Sequence, residues 1–237
     1  MSKLLELKKE LKSLADKEQS RNLQRFFKTG KGEYGEGDIF LGIKVPVQRN
    51  VAKKYTDLNL KYLQILLNSK IHEYRFIALI ILIKKSGVSS DALKEIFGFY
   101  IKNSKNVNNW DLVDISAPHI VGRFLSDKSN RKILYKFAKS KNLWEKRIAI
   151  ISTFSFIREN QFQDTLKIAE ILLSDDHDLI HKAVGWMLRE VGNRDRRTEE
   201  IFLKKYYKKM PRTMLRYAIE KFPKDLRVSY LKDIANS

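Results

Sequence analysis

Each of the three tryptophans in this sequence has a charged residue three or four positions away. Residues at these separations share one face of an α-helix. The pairs are Trp110 with Asp114, Trp144 with Arg147, and Trp186 with both Lys182 and Arg189. An indole face attracts cations, and a fixed carboxylate stabilises positive charge that develops during a reaction. The Trp110–Asp114 face therefore suits chemistry at a cationic centre.

These residues also have ordinary structural interpretations. A tryptophan in a helical protein usually lies in the core with its N–H hydrogen-bonded. Asp114 is close to Pro118 and can be a carboxylate at a helix end. Arg75 and Arg147 can belong to structural ion pairs. The recurrence of three tryptophans with nearby charges favours a shared surface, but at this point both interpretations stay open.

The composition excludes several kinds of site. The chain has 237 residues and no cysteine, which excludes disulfides, thiolate metal sites and a cysteine nucleophile. The four histidines do not form an H-E-x-x-H motif, so we expect them to be incidental and predict no metal and no cofactor. There are 47 Lys and Arg residues against 28 Asp and Glu, a net charge of +19. This excess predicts a polyanionic partner, nucleic acid before an acidic membrane surface.

Apolar residues recur at helical spacing through most of the chain. Leu4, Leu7, Leu11 and Leu14 step by three or four positions, which predicts an amphipathic helix at the start of the sequence. The apolar run at residues 76–83 is ambiguous, because a buried strand has the same pattern. Its flanking residues favour a buried helix of about 15 residues.

Short segments with a basic residue recur at a regular interval. Arg75, Arg147, Lys182 and Arg216 are separated by 72, 35 and 34 positions, and the first gap corresponds to two periods. Weak self-similarity at this period in a helical chain is typical of stacked helical hairpins. We predict an all-α fold of helical repeats stacked into a curved superhelix, an α-solenoid. We expect residues 1–237 to form a single domain whose concave side is a basic groove.

A glycine-rich stretch at residues 29–38 interrupts the helical pattern. It contains a formal match to the dinucleotide-binding fingerprint G-x-G-x-x-G at residues 30–35. That fingerprint requires a strand before it and a helix opening at its end, whereas a helical segment precedes this stretch. Glu33, Glu36 and Asp38 would also repel a pyrophosphate. We predict a loop between helices, either a flexible connection or a loop that contacts DNA.

The basic excess is uneven along the chain. From Arg189 to Arg216 there are ten Lys and Arg residues against four Asp and Glu. Arg194, Arg196 and Arg197 cluster at a turn that we expect after Gly192. Such a surface is typical of proteins that contact DNA phosphates. Neutralising six to eight phosphates predicts a salt dependence of binding with a slope on the order of −5 to −7.

At these residues the sequence resembles the AlkD-like DNA alkylation repair glycosylases, which are built from HEAT-like helical repeats. The resemblance covers nearly the whole chain, with its motifs in the family's order. The segments that carry it are residues 110–114, 144–147 and 182–190, together with residues 40–43, Pro46 and Arg49.

The resemblance implies a function and a set of site residues. Members of this family bind duplex DNA along a basic concave surface and release N3- and N7-alkylated purines without turning the damaged base into a pocket. Carried over by motif, Asp114 is the catalytic carboxylate, Trp110 and Trp186 are the aromatic walls of the cleft, and Arg147 is the cleft arginine. The predicted DNA contacts are Arg75, Lys182, Arg189, Arg194, Arg196, Arg197, Arg212, Arg216 and Phe26.

The sequence departs from the family at its N-terminal end. Where well-known members carry a tyrosine, this chain has Phe26 or Phe27. A phenylalanine would lose the hydrogen bond of the hydroxyl and keep a stacking face. The glycine-rich loop that follows also looks longer than in compact members. Both departures concern contacts on the side of the lesion.

Three functions are compatible with these observations. The first is a DNA glycosylase for cationic alkylpurines, and the second is a non-catalytic protein that binds damaged or bent DNA. The third is a helical-repeat adaptor for an acidic protein. An anion at Asp114 favours the first, because a pure DNA binder gains nothing from a carboxylate that faces phosphates. We expect a cytoplasmic monomer with no membrane partner, nucleoid-associated when bound to double-stranded DNA.

Overall fold

The computed structural model describes residues 2–235, with side chains described to residue 232, and its regular structure is helical. An isolated bridge between Ile39 and Ile71 is the one β-type pairing in this part of the chain. The chain divides into two compact units, with the division between Ser116 and Ala117. We describe each unit separately.

The first unit contains seven α-helices among the described residues. In order they are α1 (Lys3–Ser13), α2 (Lys17–Phe26), α3 (Val45–Lys54), α4 (Leu60–Leu67), α5 (His72–Ser86), α6 (Ser90–Lys102) and α7 (Trp110–Ala117), whose last residue falls beyond the division. The apolar run at residues 76–83 lies within α5, so the expected buried helix is confirmed. Helix α5 contacts α3, α4 and α6, and these contacts bury its apolar run. Leu4, Leu7 and Leu11 form the buried face of α1.

The second unit is also built from paired helices. A π-helical turn at Pro118–Gly122 precedes α8 (Arg123–Leu125), α9 (Lys132–Ala138), α10 (Leu143–Ser152), α11 (Phe154–Arg158), α12 (Gln163–Ile171), α13 (Asp178–Arg194), α14 (Arg196–Tyr206), α15 (Arg212–Ala218) and α16 (Lys224–Ala235). Helix α13 is central, because it contacts α10, α14 and α15. At Gly185 a side chain would clash with Met214 and Tyr217, so glycine allows the close approach of α15.

The predicted period matches the helices. Arg75, Arg147, Lys182 and Arg216 are each the fourth or fifth residue of their helix, in α5, α10, α13 and α15. The recurring segments therefore occupy equivalent places in four different helices. This all-helical, pairwise-packed arrangement is consistent with an α-solenoid.

The turn expected at the arginine cluster after Gly192 is confirmed. Helix α13 continues past Gly192 to Arg194, and the chain turns at Asp195, whose side chain caps α14 by accepting a hydrogen bond from the Thr198 amide. The break between the two helices falls at Asp195 because its side chain caps α14, whereas Gly192 packs within α13. The glycine-rich stretch at residues 29–38 is a series of turns, with α2 before it and no helix opening at its end. The dinucleotide-binding interpretation is therefore excluded by this local structure.

Glu73 in the first turn of α5 holds the loop that enters α3. Its side chain is completely buried, and its two carboxylate oxygens accept hydrogen bonds from the amides of Leu41, Gly42 and Ile43 at 2.9 to 3.3 Å. The same loop holds α2, because the Leu41 carbonyl accepts a hydrogen bond from the Asp16 amide at 2.9 Å. This loop therefore connects α5 to the helix that carries Phe26.

Among the residues that the structure describes, none of the helices combines the length and apolar character needed to cross a bilayer.

Replacing Gly42 with alanine should strongly destabilise the protein. Gly42 has a φ of +87°, and an added Cβ would lie 2.1 Å from the Asp16 carbonyl oxygen. Gly37 is the matched control, because its φ is +84° but nothing lies within 4 Å of an added Cβ. We expect a loss of about 1 kcal/mol for Gly37→Ala and of more than about 2 kcal/mol for Gly42→Ala in urea unfolding. Equal losses would contradict the close approach of α2.

Candidate functional site

Trp110 opens α7, and the side chains of its two neighbours in the chain hold the first turn of this helix. Asn109 is completely buried, and its side-chain oxygen accepts a hydrogen bond from the Trp110 amide at 2.8 Å. On the other side, the Asp111 Oδ1 atom accepts a hydrogen bond from the Leu112 amide at 2.8 Å. The first turn of α7 is thus held by side chains at its start, and Trp110 itself is half-buried.

The indole of Trp110 belongs to an aromatic cluster formed by Phe26, Phe27, Phe40, His72 and Trp110. Phe27 stacks on Trp110 with ring centroids 5.2 Å apart and on Phe40 at 4.9 Å. Phe40 in turn stacks on the imidazole of His72 at 4.4 Å. Phe26 meets Trp110 edge-on at 5.9 Å. Such contacts fix the plane of the indole.

The structure distinguishes between the two phenylalanines. Phe27 is 6% exposed and lies inside the cluster, whereas Phe26 is 64% exposed beside Trp110. Phe26 is therefore the one available to a ligand, and Phe27 is a structural residue. The sequence pattern did not distinguish these two positions, because tertiary packing decides which of two adjacent side chains at the end of α2 is buried.

Asp114 lies one helical turn after Trp110 and is half-buried. The charge of Asp114 acts on Tyr100 of α6. Burial raises the pKa of Tyr100, and the negative charge of Asp114 raises it further. The Tyr100 hydroxyl is hydrogen-bonded to Ser116 at 2.9 Å, which lowers the pKa of Tyr100 in part. The carboxylate is therefore held on a helix whose buried side is anchored to α6.

A polar cluster of four ionisable side chains lies beneath Trp110: Asp38, His72, Arg75 and Asp111. The His72 Nε2 atom lies 2.8 Å from Asp111 Oδ2, and its Nδ1 atom lies 3.3 Å from Asp38 Oδ2. The Arg75 guanidinium donates to Asp38 at 2.6 Å. Burial opposes ionisation of Asp38, but the hydrogen bond from His72 and the charge of Arg75 outweigh it, so the pKa of Asp38 is lowered.

Arg75 and His72 both lie inside the first unit. Arg75 is 3% exposed and donates to the Ser69 carbonyl at 2.7 Å as well as to Asp38, so it lies inside the unit rather than on a DNA-facing surface. His72, which the sequence marks as incidental, lies at the centre of the cluster. The spacing of single histidines carries no signal for this, because its partners come from residues 38 and 111, far away in the sequence.

In the second unit, α13 carries Trp186 and Lys182. The Trp186 Nε1–H donates to Glu190 at 2.9 Å, and its ring tilts against Phe154 with centroids 6.1 Å apart. Arg147 on α10 is 4% exposed and donates to the Leu179 carbonyl at 2.5 Å, at the start of α13. Arg147 thus holds the end of the helix that presents Trp186. Lys182 forms an ion pair with Asp178 at 2.7 Å.

The predicted basic residues of the second unit fall into two groups. Arg189 is paired with Glu220, and Arg196 is paired with Glu200 at 2.8 Å while its guanidinium lies over the Phe222 ring. The other four are exposed and form no ion pair within the described part of the chain: Arg194, Arg197, Arg212 and Arg216. This second group is available to a polyanion.

Comparisons with known proteins show which family and fold the chain is similar to. A model of the family described as DNA alkylation repair enzyme matches residues 7–222. A solved structure described as a predicted DNA alkylation repair enzyme from Enterococcus faecalis has a TM-score of 0.69 and 16% sequence identity. The likeness covers 89% of this chain and 97% of that one. No curated protein shows a significant sequence match.

Substitution of the two adjacent phenylalanines should have unequal effects on stability. Phe27→Ala removes a buried ring from the aromatic cluster, and we expect a loss of about 3 kcal/mol in urea unfolding. Phe26→Ala removes a mostly exposed ring and should cost less than about 1 kcal/mol. The two variants control for each other, since they delete the same side chain at neighbouring positions. A larger loss for Phe26→Ala would contradict the assignment of Phe27 as the structural residue.

Proposed function

Because the chain belongs to the DNA alkylation repair enzyme family, we propose that it is a DNA glycosylase that removes cationic N3- and N7-alkylated purines from duplex DNA. The observation that supports this proposal is the arrangement of α7. A half-buried carboxylate lies one turn after an indole whose plane is fixed by stacking on Phe27. A surface that only bound DNA would have no use for the negative charge of Asp114.

The proposed reaction is hydrolysis of the N-glycosidic bond. An alkylated purine already carries a positive charge, so it leaves with the bonding electrons as a neutral base and needs no strong general acid. Positive charge then develops on the deoxyribose. The carboxylate of Asp114 stabilises this charge, and it accepts a proton from the water whose oxygen forms the new bond to the sugar.

The other site residues support this step in different ways. The face of Trp110 attracts the cationic base and sugar. Arg147 is buried, so we assign it a positioning role through its hydrogen bond to the Leu179 carbonyl at the start of α13. Arg75 holds Asp38 in the polar cluster and is a structural residue in this proposal.

Asp114→Asn should abolish base release without abolishing DNA binding. The amide keeps the size of the side chain but loses the charge that stabilises the sugar, and we expect a decrease in rate of at least about 100-fold. The measurement is release of free base from a duplex with one N7-methylguanine, with the dissociation constant obtained by fluorescence anisotropy. Asp91→Asn on the exposed side of α6 is the control.

The possible outcomes separate the two main functions. If Asp114→Asn releases base as fast as the wild type, Asp114 has no part in the mechanism. No release by the wild type, together with tight binding of the damaged duplex, would support the non-catalytic DNA-binding function instead.

The exposed arginines on α15 are the proposed contacts to DNA phosphates. Arg212 and Arg216 lie one turn apart, and Gly185 lets their helix approach α13 closely. Residues one turn apart on a helix share a face, so both guanidinium groups can follow the same DNA backbone.

Reversing the two charges on α15 should weaken DNA binding and its dependence on salt. For the double variant Arg212→Glu with Arg216→Glu we expect the slope of log K against log salt to become less negative by about 2. The matched control is Lys94→Glu with Lys102→Glu on α6, which changes the net charge equally. Both doubles should be measured by anisotropy at several salt concentrations. Equal weakening by both would contradict a specific surface on α15.

A further inference from the structure

The polar cluster of Asp38, His72, Arg75 and Asp111 has no part in the reaction proposed above. Its side chains come from the loop before α3, from α5 and from α7. Asp38, His72 and Arg75 are buried, and only Asp111 is partly exposed. Buried charges without partners are costly, so such a cluster persists only when its charges balance.

The charge balance depends on His72. The two carboxylates contribute two negative charges, and the Arg75 guanidinium contributes one positive charge. The cluster is therefore neutral when the His72 imidazole is protonated and carries one net negative charge when it is not. Each ring nitrogen of His72 faces a carboxylate oxygen, at 2.8 and 3.3 Å, which suits a doubly protonated ring that donates on both sides.

The cluster holds both neighbours of Trp110. His72 bonds Asp111, which follows Trp110, and the Asp38 carboxylate accepts a hydrogen bond at 3.4 Å from Asn109, which precedes it. A second connection runs through the rings, because His72 stacks on Phe40, Phe40 on Phe27 and Phe27 on Trp110. Asp111, Asn109 and the stacked rings therefore each connect the Trp110 indole to the polar cluster.

We propose that His72, held as an imidazolium between Asp38 and Asp111, is a positioning residue that fixes the first turn of α7 and thereby the Trp110 indole and the Asp114 carboxylate. Its consequence for catalysis rests on the proposed function. Its charge state and its hold on α7 do not, and they are measurable without any substrate.

The groups that face His72 determine how it titrates. Burial favours the neutral ring, but the charge of Asp111 and hydrogen bonds to Asp111 and Asp38 outweigh burial and the repulsion of Arg75, so the pKa of His72 is raised. Phe27 and Phe40 complete its surroundings. A raised folded-state pKa means that the stabilisation is fully present below the unfolded-state pKa of about 6.5. It is lost as the pH rises through the folded-state pKa.

The first experiment measures the ring and the indole directly. In ¹⁵N NMR of the wild-type protein, the His72 signals are identified by their loss in His72→Gln, and the Trp110 indole N–H peak by its loss in Trp110→Phe. We expect both His72 nitrogens to be protonated near pH 7.5, well above the ordinary pKa of histidine. The Trp110 peak should move with the same midpoint as His72 on further alkalinisation, and it should not move in His72→Gln. A neutral His72 ring at that pH would overturn the proposal, and so would a Trp110 peak that does not move as His72 titrates.

The second experiment tests the consequence for catalysis. Displacement of a catalytic group by about 1 Å costs up to about 100-fold in rate. We therefore expect His72→Gln to lower single-turnover release of N7-methylguanine by about 10- to 100-fold, with DNA affinity changed less than twofold. We expect wild-type activity to fall as the pH rises through the pKa of His72 and expect this fall to be absent in the variant. The control is His177→Asn, which replaces a histidine of the second unit while keeping a side-chain cap for α13.

A milder substitution keeps the proposal testable if His72→Gln does not fold. Asp111→Asn removes one charge and leaves a side-chain amide that can donate to a neutral His72 ring. We expect the His72 midpoint to fall by more than one pH unit and the alkaline limb of activity to move with it. An unchanged midpoint would overturn the proposal. If the wild type releases no base, the glycosylase proposal fails while the NMR titrations still decide the role of His72.

Discussion

The first unit depends on one constraint: the first turn of its most buried helix carries three ionisable side chains. His72, Glu73 and Arg75 open α5, and all three are buried. Their partners must come from elsewhere in the chain, because a helix cannot neutralise three such groups within its own first turn. The loop at residues 38–43 and the start of α7 supply these partners. Satisfying α5 therefore places the segments that carry Phe26 and Trp110.

The same physical logic operates separately in the second unit. Arg147 lies at the equivalent place in α10 and uses its buried guanidinium to bond the Leu179 carbonyl at the start of α13. In the first unit, buried Arg75 bonds Asp38 in the loop before α3. In the second unit, buried Arg147 bonds the start of α13, which carries Trp186. At Arg75 and Arg147 the repeated basic residue is thus a structural feature of a buried helix, whereas Arg216 at the equivalent place in α15 is exposed.

This distinction changes the meaning of the positive charge of the protein. Part of the excess of 47 basic over 28 acidic residues is used internally, by Arg75 and Arg147 among others. Arginines that are exposed and form no ion pair among the described residues, such as Arg212 and Arg216, belong to the part that remains for a polyanion. Asp114 stands apart from both groups, because it is a half-buried carboxylate on a helix that the proposed function places toward DNA.

The sequence by itself determined the helical class, the family and the pairing of Trp110 with Asp114, because helical periodicity and separations of three or four residues are local properties. It also predicted the recurrence of Arg75, Arg147, Lys182 and Arg216, which the helices place in equivalent positions. The tertiary structure alone decided which of these cations are buried, which of Phe26 and Phe27 is exposed, and that His72 meets Asp38 and Asp111. The reason is that burial and charge pairing depend on residues tens of positions apart, and no local pattern specifies which of them will meet.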